Sequence, residues 1–557
     1  MSTLPSYRAS LAPEFDPQRD NAVSAINIEV RLIDSRSKAT EPLLTLFLNV
    51  GSTPTLRYDG DALKATDDSG HLPLTYRDSD EGVMSSLKRA WIPERDPVGP
   101  VLVKFQAVPR HTEPGTLSGP RVDLRTDQGG GVGMGYGFLP HPPADDDWEV
   151  QIDFDMPDSA PAGTRGACSL GDSMSNKDVG RPQKLIGNAL FAVGKLTRYP
   201  SWETETGIGQ EFSMYWIGDP PYDMKRVAPL TESLFRSIAS FFGDTTNSFR
   251  VFVRRVWSGH GGSGGYRSFL LEYSPGSEDQ MNENDLLDLL AHETVHEYPL
   301  MNPIKSDDAW YNEGVANYYA TIAAFEKGAV NREYLIRLLN NNTQAYYTTQ
   351  VIGLEWKYIT DHYMDRFDYT KAGYGRGFIY LAQVQGLISR ETGGQKGVGD
   401  VVLKLYERQL RHVETHSDDF HELVSGYIGK EKTAEIRAAM EGGQIIVPPE
   451  DSFKKYGLKL VRHDVEQFEA GFDPNSLRTN KIKGLVKGSR AEQAGLREDD
   501  EVASAWMLWG AGDALENMMQ VTVRRNGEEI VVNYWPRSHV KVENYMWIED
   551  GDARSHI

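Results

Sequence analysis

The chain has 557 residues, 39% hydrophobic and 25% charged, which is a globular balance, and a chain of this length is expected to hold about three domains. No apolar run reaches the roughly 18 residues that span a bilayer, and a net charge of −21 argues against nucleic acid or an anionic membrane as the main partner. Met1 to Asp20 is polar and has no apolar segment of the kind a secretory signal needs, and the single cysteine, Cys168, excludes an intramolecular disulfide framework. Together these point to a reducing, cytoplasmic setting, with Cys168 read as a small buried hydrophobe.

From Ala25 to Gly218 the sequence reads as short strands separated by turn clusters such as Tyr58–Asp61 and Asp67–Gly70. Ala25–Ile33 alternates, Leu43–Val50 is rich in β-formers, and Val101–Ala107, Trp148–Phe154, Leu190–Tyr199 and Glu211–Ile217 continue the pattern. The expectation is an all-β sandwich or saddle-like domain over residues 1–225. Its glycine cluster, Gly129 to Gly137, lacks the phosphate-loop spacing and reads as a flexible loop or a bulged strand. Leu230–Phe242 is helical, Phe249–Trp257 is a strand, and a second glycine cluster, Gly259 to Gly265, leads into a strand over Tyr266–Tyr273.

The next helix carries His292-Glu293-Thr294-Val295-His296. Two imidazoles four residues apart share one helix face and can grip a single metal ion, while Glu293 faces water held on it. Asn284 is the candidate N-cap, Asp285 favours the positive helix end, and Pro299 stops the helix. Trp310 to Tyr319 also reads as helical, within a span from about Asp308 to Phe325, and supplies Glu313 as a third ligand. Two His and one carboxylate leave the fourth tetrahedral position to water, the arrangement of a catalytic zinc. With helices at Arg332–Asn341, Gly375–Arg390 and Gly399–Arg411, residues 226–447 form a mostly helical domain. Other titratable candidates have plainer readings: Asp288, His412 and His416 as solvated helix residues, and His260 as a loop histidine.

After Val447-Pro448-Pro449 the texture returns to β, with an Asn526-Gly527 hairpin signal. Residues 448–540 resemble a PDZ domain, most closely in Gly488-Ser-Arg-Ala-Glu-Gln-Ala-Gly-Leu496, and 541–557 are left as a tail. The helix with His292 and His296, the Trp310-x-x-Glu313-Gly314 helix, Tyr374-Gly-Arg-Gly377 and the PDZ-like module together resemble the glycyl aminopeptidase family of gluzincin zinc peptidases. That resemblance implies a multidomain α+β fold whose middle is a thermolysin-like catalytic domain. It implies one Zn2+ per chain on His292, His296 and Glu313, Glu293 as general base, and Tyr374 as hydrogen-bond donor to the developing oxyanion.

Asn312, just before the ligand Glu, is placed to orient a ligand, or is an ordinary helix Asn; Asn317, one turn beyond Glu313, has the same two readings. Arg376 stands where relatives carry lysine and is also a substrate-edge candidate. On the substrate-bordering strand Gly264, Gly265, Tyr266 and Arg267 are the edge candidates, but Arg267 and Ser268 replace the Glu-His pair that suits a free amino terminus. The implied activity is hydrolysis at small N-terminal residues such as Gly or Ala, with peptides as substrates and a peptide or C-terminal ligand in the PDZ groove. The alternatives are an endopeptidase and a PDZ adaptor on an inactive peptidase core.

Overall fold

The computed structural model describes residues 4–551 except 52, 81–85, 114–115, 117–120, 205–210, 246–247, 258–259, 277–280, 302–305, 364, 478 and 507. Gly259 of the second glycine cluster therefore lies outside the described residues. The chain forms two compact units, residues 1–235 with 245–290, and residues 236–244 with 291–557.

The first unit is built on strands whose side chains alternate between core and solvent. Ile26, Ile28, Val30 and Leu32 are buried, while Asn27, Glu29 and Arg31 between them are exposed. Ala22–Ile33 pairs antiparallel with Ser6–Asp16 on one side and Val101–Ala107 on the other, at the centre of a seven-stranded sheet. A four-stranded sheet shares its hydrophobic core, through residues such as Phe191 and Val193.

The cluster read as a loop or bulged strand is a buried strand of that second sheet, Gly130–Met134, followed by a 3-10 turn. A Cβ on Gly133 would lie 2.5 Å from the Leu124 Cα, and one on Gly135 would lie 1.8 Å from the Ile186 carbonyl oxygen. Glycine is required here by close backbone approach.

A third sheet has the order Thr197–Tyr199, Glu211–Trp216, Ser248–Arg255, Ser268–Tyr273, Gly261–Gly265. Its middle three strands are parallel, and helix α1 (Met224–Phe241) makes the crossover that parallel pairing demands. Two of these strands are buried almost throughout, as strands covered on both faces are. Glu211–Trp216 thus belongs to a mixed sheet with strands from beyond residue 225, and Gly261–Gly265 pairs antiparallel at its edge.

The second unit holds helices α3 (Ala309–Glu326), α4 (Arg332–Thr348), α5 (Trp356–Asp361), α6 (Phe367–Glu391), α7 (Val398–Leu410), α8 (Ser417–Ile428) and α9 (Lys430–Glu441), with α2 (Glu283–Val295) entering from the first unit's segment. Helix α3 is apolar nearly all round, as a buried central helix must be. It meets α6 at a glycine pair: a Cβ on Gly377 would lie 1.7 Å from the Trp310 carbonyl oxygen and 2.8 Å from the Gly314 Cα. Glycine inside a helix costs about 1 kcal/mol against alanine, offset here by backbone contact between the helices.

The last part of the second unit is a β module with a core of Phe472, Ile482, Leu496, Val502, Val521 and Val523. Strands Glu501–Trp506, Met519–Arg525 and Glu528–Tyr534 form one sheet, and Asn526 and Gly527 both take positive φ, 52° and 85°, at the hairpin turn. Ser489 caps a short helix, α10 (Arg490–Gln493), and a second short helix is α11 (Leu508–Ala511). Residues 541–549, read from the sequence as tail, are structured instead. Arg537–Val542 pairs with Val465–Phe468, and Tyr545–Glu549 pairs with Leu458–Arg462, because Trp547 is fully buried. No helix among the described residues is long and apolar enough to cross a membrane.

Candidate metal centre

Helix α2 is capped by Asn282, whose side-chain oxygen accepts the backbone N–H groups of Asn284 at 2.9 Å and Asp285 at 3.1 Å. The cap therefore falls two residues before the expected Asn284. The last turn delivers His292, and His296 follows directly after the helix, their ring centroids 4.7 Å apart. Glu313 arrives from α3.

His292 Nε2 lies 3.1 Å from His296 Nε2 and 3.2 Å from Glu313 Oε2, and His296 Nε2 lies 3.6 Å from the same oxygen. Ligands about 2.0–2.1 Å from a tetrahedral zinc lie roughly 3.3–3.4 Å from one another. The three atoms already have that spacing, and both imidazoles face Glu313 Oε2. The donor set fits a zinc-type ion. Among the described residues this is the one cluster of His, Cys, Asp and Glu close enough to hold a metal.

One imidazole is oriented from behind. Asn317 Oδ1 lies 2.7 Å from His292 Nδ1, Asn317 Nδ2 donates to Asn342 Oδ1 at 2.6 Å, and Asn342 Nδ2 donates to the Leu338 carbonyl at 2.9 Å. The carbonyl can only accept, so each amide in the series has one permitted orientation. It follows that His292 carries its proton on Nδ1 and turns the Nε2 lone pair to the metal position. Asn342 is absent from the sequence reading. Nothing in its immediate context, Asn340-Asn341-Asn342, distinguishes it until α4 packs beside α3.

Without a metal the charges balance one another. Burial pulls His296 down, but a hydrogen bond and charge from Glu313, with Glu293 and Glu297 adding, hold it at about 9. Burial pushes Glu313 up, but the hydrogen bonds and charges of His292 and His296 outweigh it and hold the carboxyl well below the usual range. Glu293 is half-buried and close enough to act on both His296 and Tyr374.

Tyr374 lies inside α6, which begins at Phe367, about two turns before the expected start at Gly375. Its ring stacks on His292 at 5.5 Å with 17° between the planes. Burial drives its phenol well above 10, and the carboxylates of Glu313 and Glu293 add to that, so it stays a hydrogen-bond donor. Tyr363, not anticipated from the sequence, shares this field and is raised by burial and Glu313.

Two candidates do other work. Asn312 Oδ1 accepts the Met301 N–H at 2.9 Å and its Nδ2 donates to the Met301 carbonyl at 3.2 Å, so it fastens a backbone loop and orients no ligand. Arg376 is buried, and its Nη2 donates to the Ile352 carbonyl at 3.0 Å and the Leu354 carbonyl at 2.9 Å, which makes it a clasp for residues 351–354 in place of a substrate-edge residue. Tyr298 packs flat against Phe242 at 4.4 Å, an ordinary core contact.

The remaining edge candidates belong to the first unit. Gly264 and Gly265 end the edge strand, and Tyr266-Arg267 forms the turn, with Arg267 at φ 46°. Asp178 accepts from the Tyr266 hydroxyl at 2.9 Å and pairs with Arg267 at 3.5 Å. Ser268 Oγ is buried 2.7 Å from Ser169 Oγ. Glu272, register partner of Gly261, is buried among Arg254, Arg121 and Arg125, which hold its carboxyl low against burial.

No family model matches the chain, and no curated protein matches it in sequence. Among solved structures, an aminopeptidase N family protein from Idiomarina loihiensis is similar over 99% of this chain and 99% of its own, at 13% identity and a TM-score of 0.65. An M1 zinc metallopeptidase from Deinococcus radiodurans is matched over 80% of this chain and 97% of its own, at 14% identity and a TM-score of 0.47. The first of these likenesses shows a shared fold.

Proposed function

We propose that this protein is a zinc-dependent peptidase that hydrolyses peptide bonds, acting as an aminopeptidase on small N-terminal residues such as Gly or Ala. The observation that carries the reading is the convergence of His292 Nε2, His296 Nε2 and Glu313 Oε2 at the spacing of a tetrahedral ion, with Glu293 and Tyr374 beside them. A zinc ion bound there would act as a Lewis acid, making water acidic near neutral pH and polarising the scissile carbonyl. Glu293, no ligand itself, takes the proton of the attacking water and delivers it to the leaving amine. Tyr374, held protonated, donates to the oxygen on which negative charge develops. The fold shared with an aminopeptidase N family protein supports the same activity.

An endopeptidase without free-amine recognition is the second reading, favoured by Arg267 and Ser268 standing where relatives carry the Glu-His pair that suits a free amino terminus. An ammonium without a carboxylate in a desolvated cleft costs about several kcal/mol, so this matters for exopeptidase action. Mass spectrometry of one peptide series, free and N-acetylated, decides: cleavage confined to free amino termini supports the aminopeptidase, and internal cleavage of acetylated peptides overturns it in favour of the endopeptidase. The C-terminal module, with its capped Ser489 helix and Asn526-Gly527 hairpin, supports a PDZ domain with a groove for a peptide or C-terminal ligand. Cys168, buried and pushed up to about 11 by burial, is an unreactive thiol and fits the proposed cytoplasmic setting.

A further inference from the structure

We infer that the C-terminal module positions the metal ligand His292 through α4, with Trp547 and Asn340 as positioning residues; this rests on the metal-centre reading above. Helix α4 is held on one side by the module. Asn340 Oδ1 accepts the Trp547 N–H at 2.7 Å and its Nδ2 donates to the Trp547 carbonyl at 3.0 Å, the side-chain amide pairing with the backbone of a strand. Trp547 Nε1 donates to Thr343 Oγ1 at 3.0 Å, and Gln344 Nε2 donates to the Asp513 carbonyl at 3.0 Å. Trp547 is fully buried, meets Phe453 edge to face at 4.5 Å and sits on a strand paired with Leu458–Arg462, so contacts besides those with α4 also hold it.

Residues 340 and 344 share one face of a helix, and position 342 lies about 200° of rotation from 340, on the opposite side. From there Asn342 holds Asn317, and Asn317 holds His292. The module and the metal ligand thus grip opposite sides of one helix, within five residues of each other. A helix about 10–12 Å across that rolls by about 10° carries a side-chain tip roughly 1 Å. A contact of 2.6 Å lengthened by that amount is no longer a hydrogen bond. The module therefore sets the roll of α4, and the roll of α4 sets the tautomer and direction of His292.

The test uses the full-length protein and the variants Trp547→Phe, Asn340→Ala, Thr343→Ser, Thr343→Val and Asn342→Leu. Zinc affinity is read by chelator competition, folding by thermal melts, and the His292 tautomer by 15N shifts of the imidazole in metal-free protein. Asn342→Leu is expected to raise the zinc Kd about tenfold or more, and Trp547→Phe, Asn340→Ala and Thr343→Val about threefold or more, in proteins that remain folded. Thr343→Ser keeps the hydroxyl and the wild-type affinity. Trp547→Phe adds no further loss on the Asn342→Leu background, because both act through one contact. Unchanged affinity in folded Trp547→Phe and Asn340→Ala, or full additivity with Asn342→Leu, overturns the inference. If the wild type binds no zinc, the metal reading fails separately and the metal-free spectra decide: an Nδ1-protonated His292 that becomes a tautomer mixture in the variants supports the coupling, and an unaltered tautomer overturns it.

Discussion

His292 Nδ1 lies 2.7 Å from Asn317 Oδ1, while Asn312, five residues earlier on the same helix, bonds the backbone of Met301. Two asparagines flanking one ligand therefore have separable roles. Asn317→Ala is expected to weaken zinc binding about 10–100-fold. Asn312→Ala should leave zinc affinity unchanged and cost about 1–3 kcal/mol of stability in urea, since it abandons a buried N–H and carbonyl. Equal effects on zinc affinity would refute the division.

Glu293→Gln is expected to keep about one zinc per chain and lose nearly all peptidase activity, because the carboxylate moves protons and binds no metal. Elemental analysis beside a peptide-cleavage assay checks it. A Gln variant with full activity would sink the mechanism.

Tyr374→Phe preserves the ring stacked on His292 and removes the hydroxyl alone. The expected result is a loss of about 10²-fold in kcat with little change in KM, as for a donor that matters only once the oxyanion forms. Steady-state kinetics distinguishes this from a substrate-binding role, in which KM would move instead.

Metal binding should depend on pH in a defined sense. His296 is raised from 6.5 to about 9, so its contribution to the metal-free fold is fully present below about 6.5 and is lost as pH rises through about 9. Glu313 is lowered from 4.5, so its contribution is present above about 4.5 and is lost as pH falls through its depressed folded value. Zinc must displace the proton on His296, so its affinity should climb about tenfold per pH unit from 7 and flatten above about 9. Chelator competition across that range tests the slope, and a flat profile contradicts it.

Trp547→Ala should cost about 3–5 kcal/mol, the range for emptying a fully buried aromatic site, read from urea midpoints. Truncation before residue 448 is expected to prevent folding of the helical part, because Asn340, Thr343 and Gln344 lose their partners together. A soluble, cooperatively melting truncated protein would contradict this.

The donor set was legible in the sequence because helical periodicity alone places His292 and His296 together, and the aromatic context of Glu313 marks its helix as buried. Asn526-Gly527 was legible for a similar reason, since a two-residue turn is a local event. Asn342 was not, because its importance arises from a helix packing against another far away in sequence. The choice between Asn312 and Asn317 likewise needed the loop at Met301. Arg376 looked like a substrate residue by alignment with a lysine, yet its guanidinium serves the carbonyls of residues 351–354. The strand at Tyr545–Glu549 is short and polar at both ends, and only its partner strand and the pocket for Trp547 give it form.

The crossing of α3 and α6 at Gly314 and Gly377 bears on how this protein can diverge. Glu313 and Tyr374 descend from two helices that, at this one crossing, have no side chain between their backbones to serve as an adjustable spacer. Cores ordinarily drift by trading one apolar residue for another of different size, but at this crossing every trade adds atoms where there is no room. The spacing of α3 and α6 at this crossing is thus inherited as a fixed dimension, and change has to be acquired at positions that leave the two glycines alone.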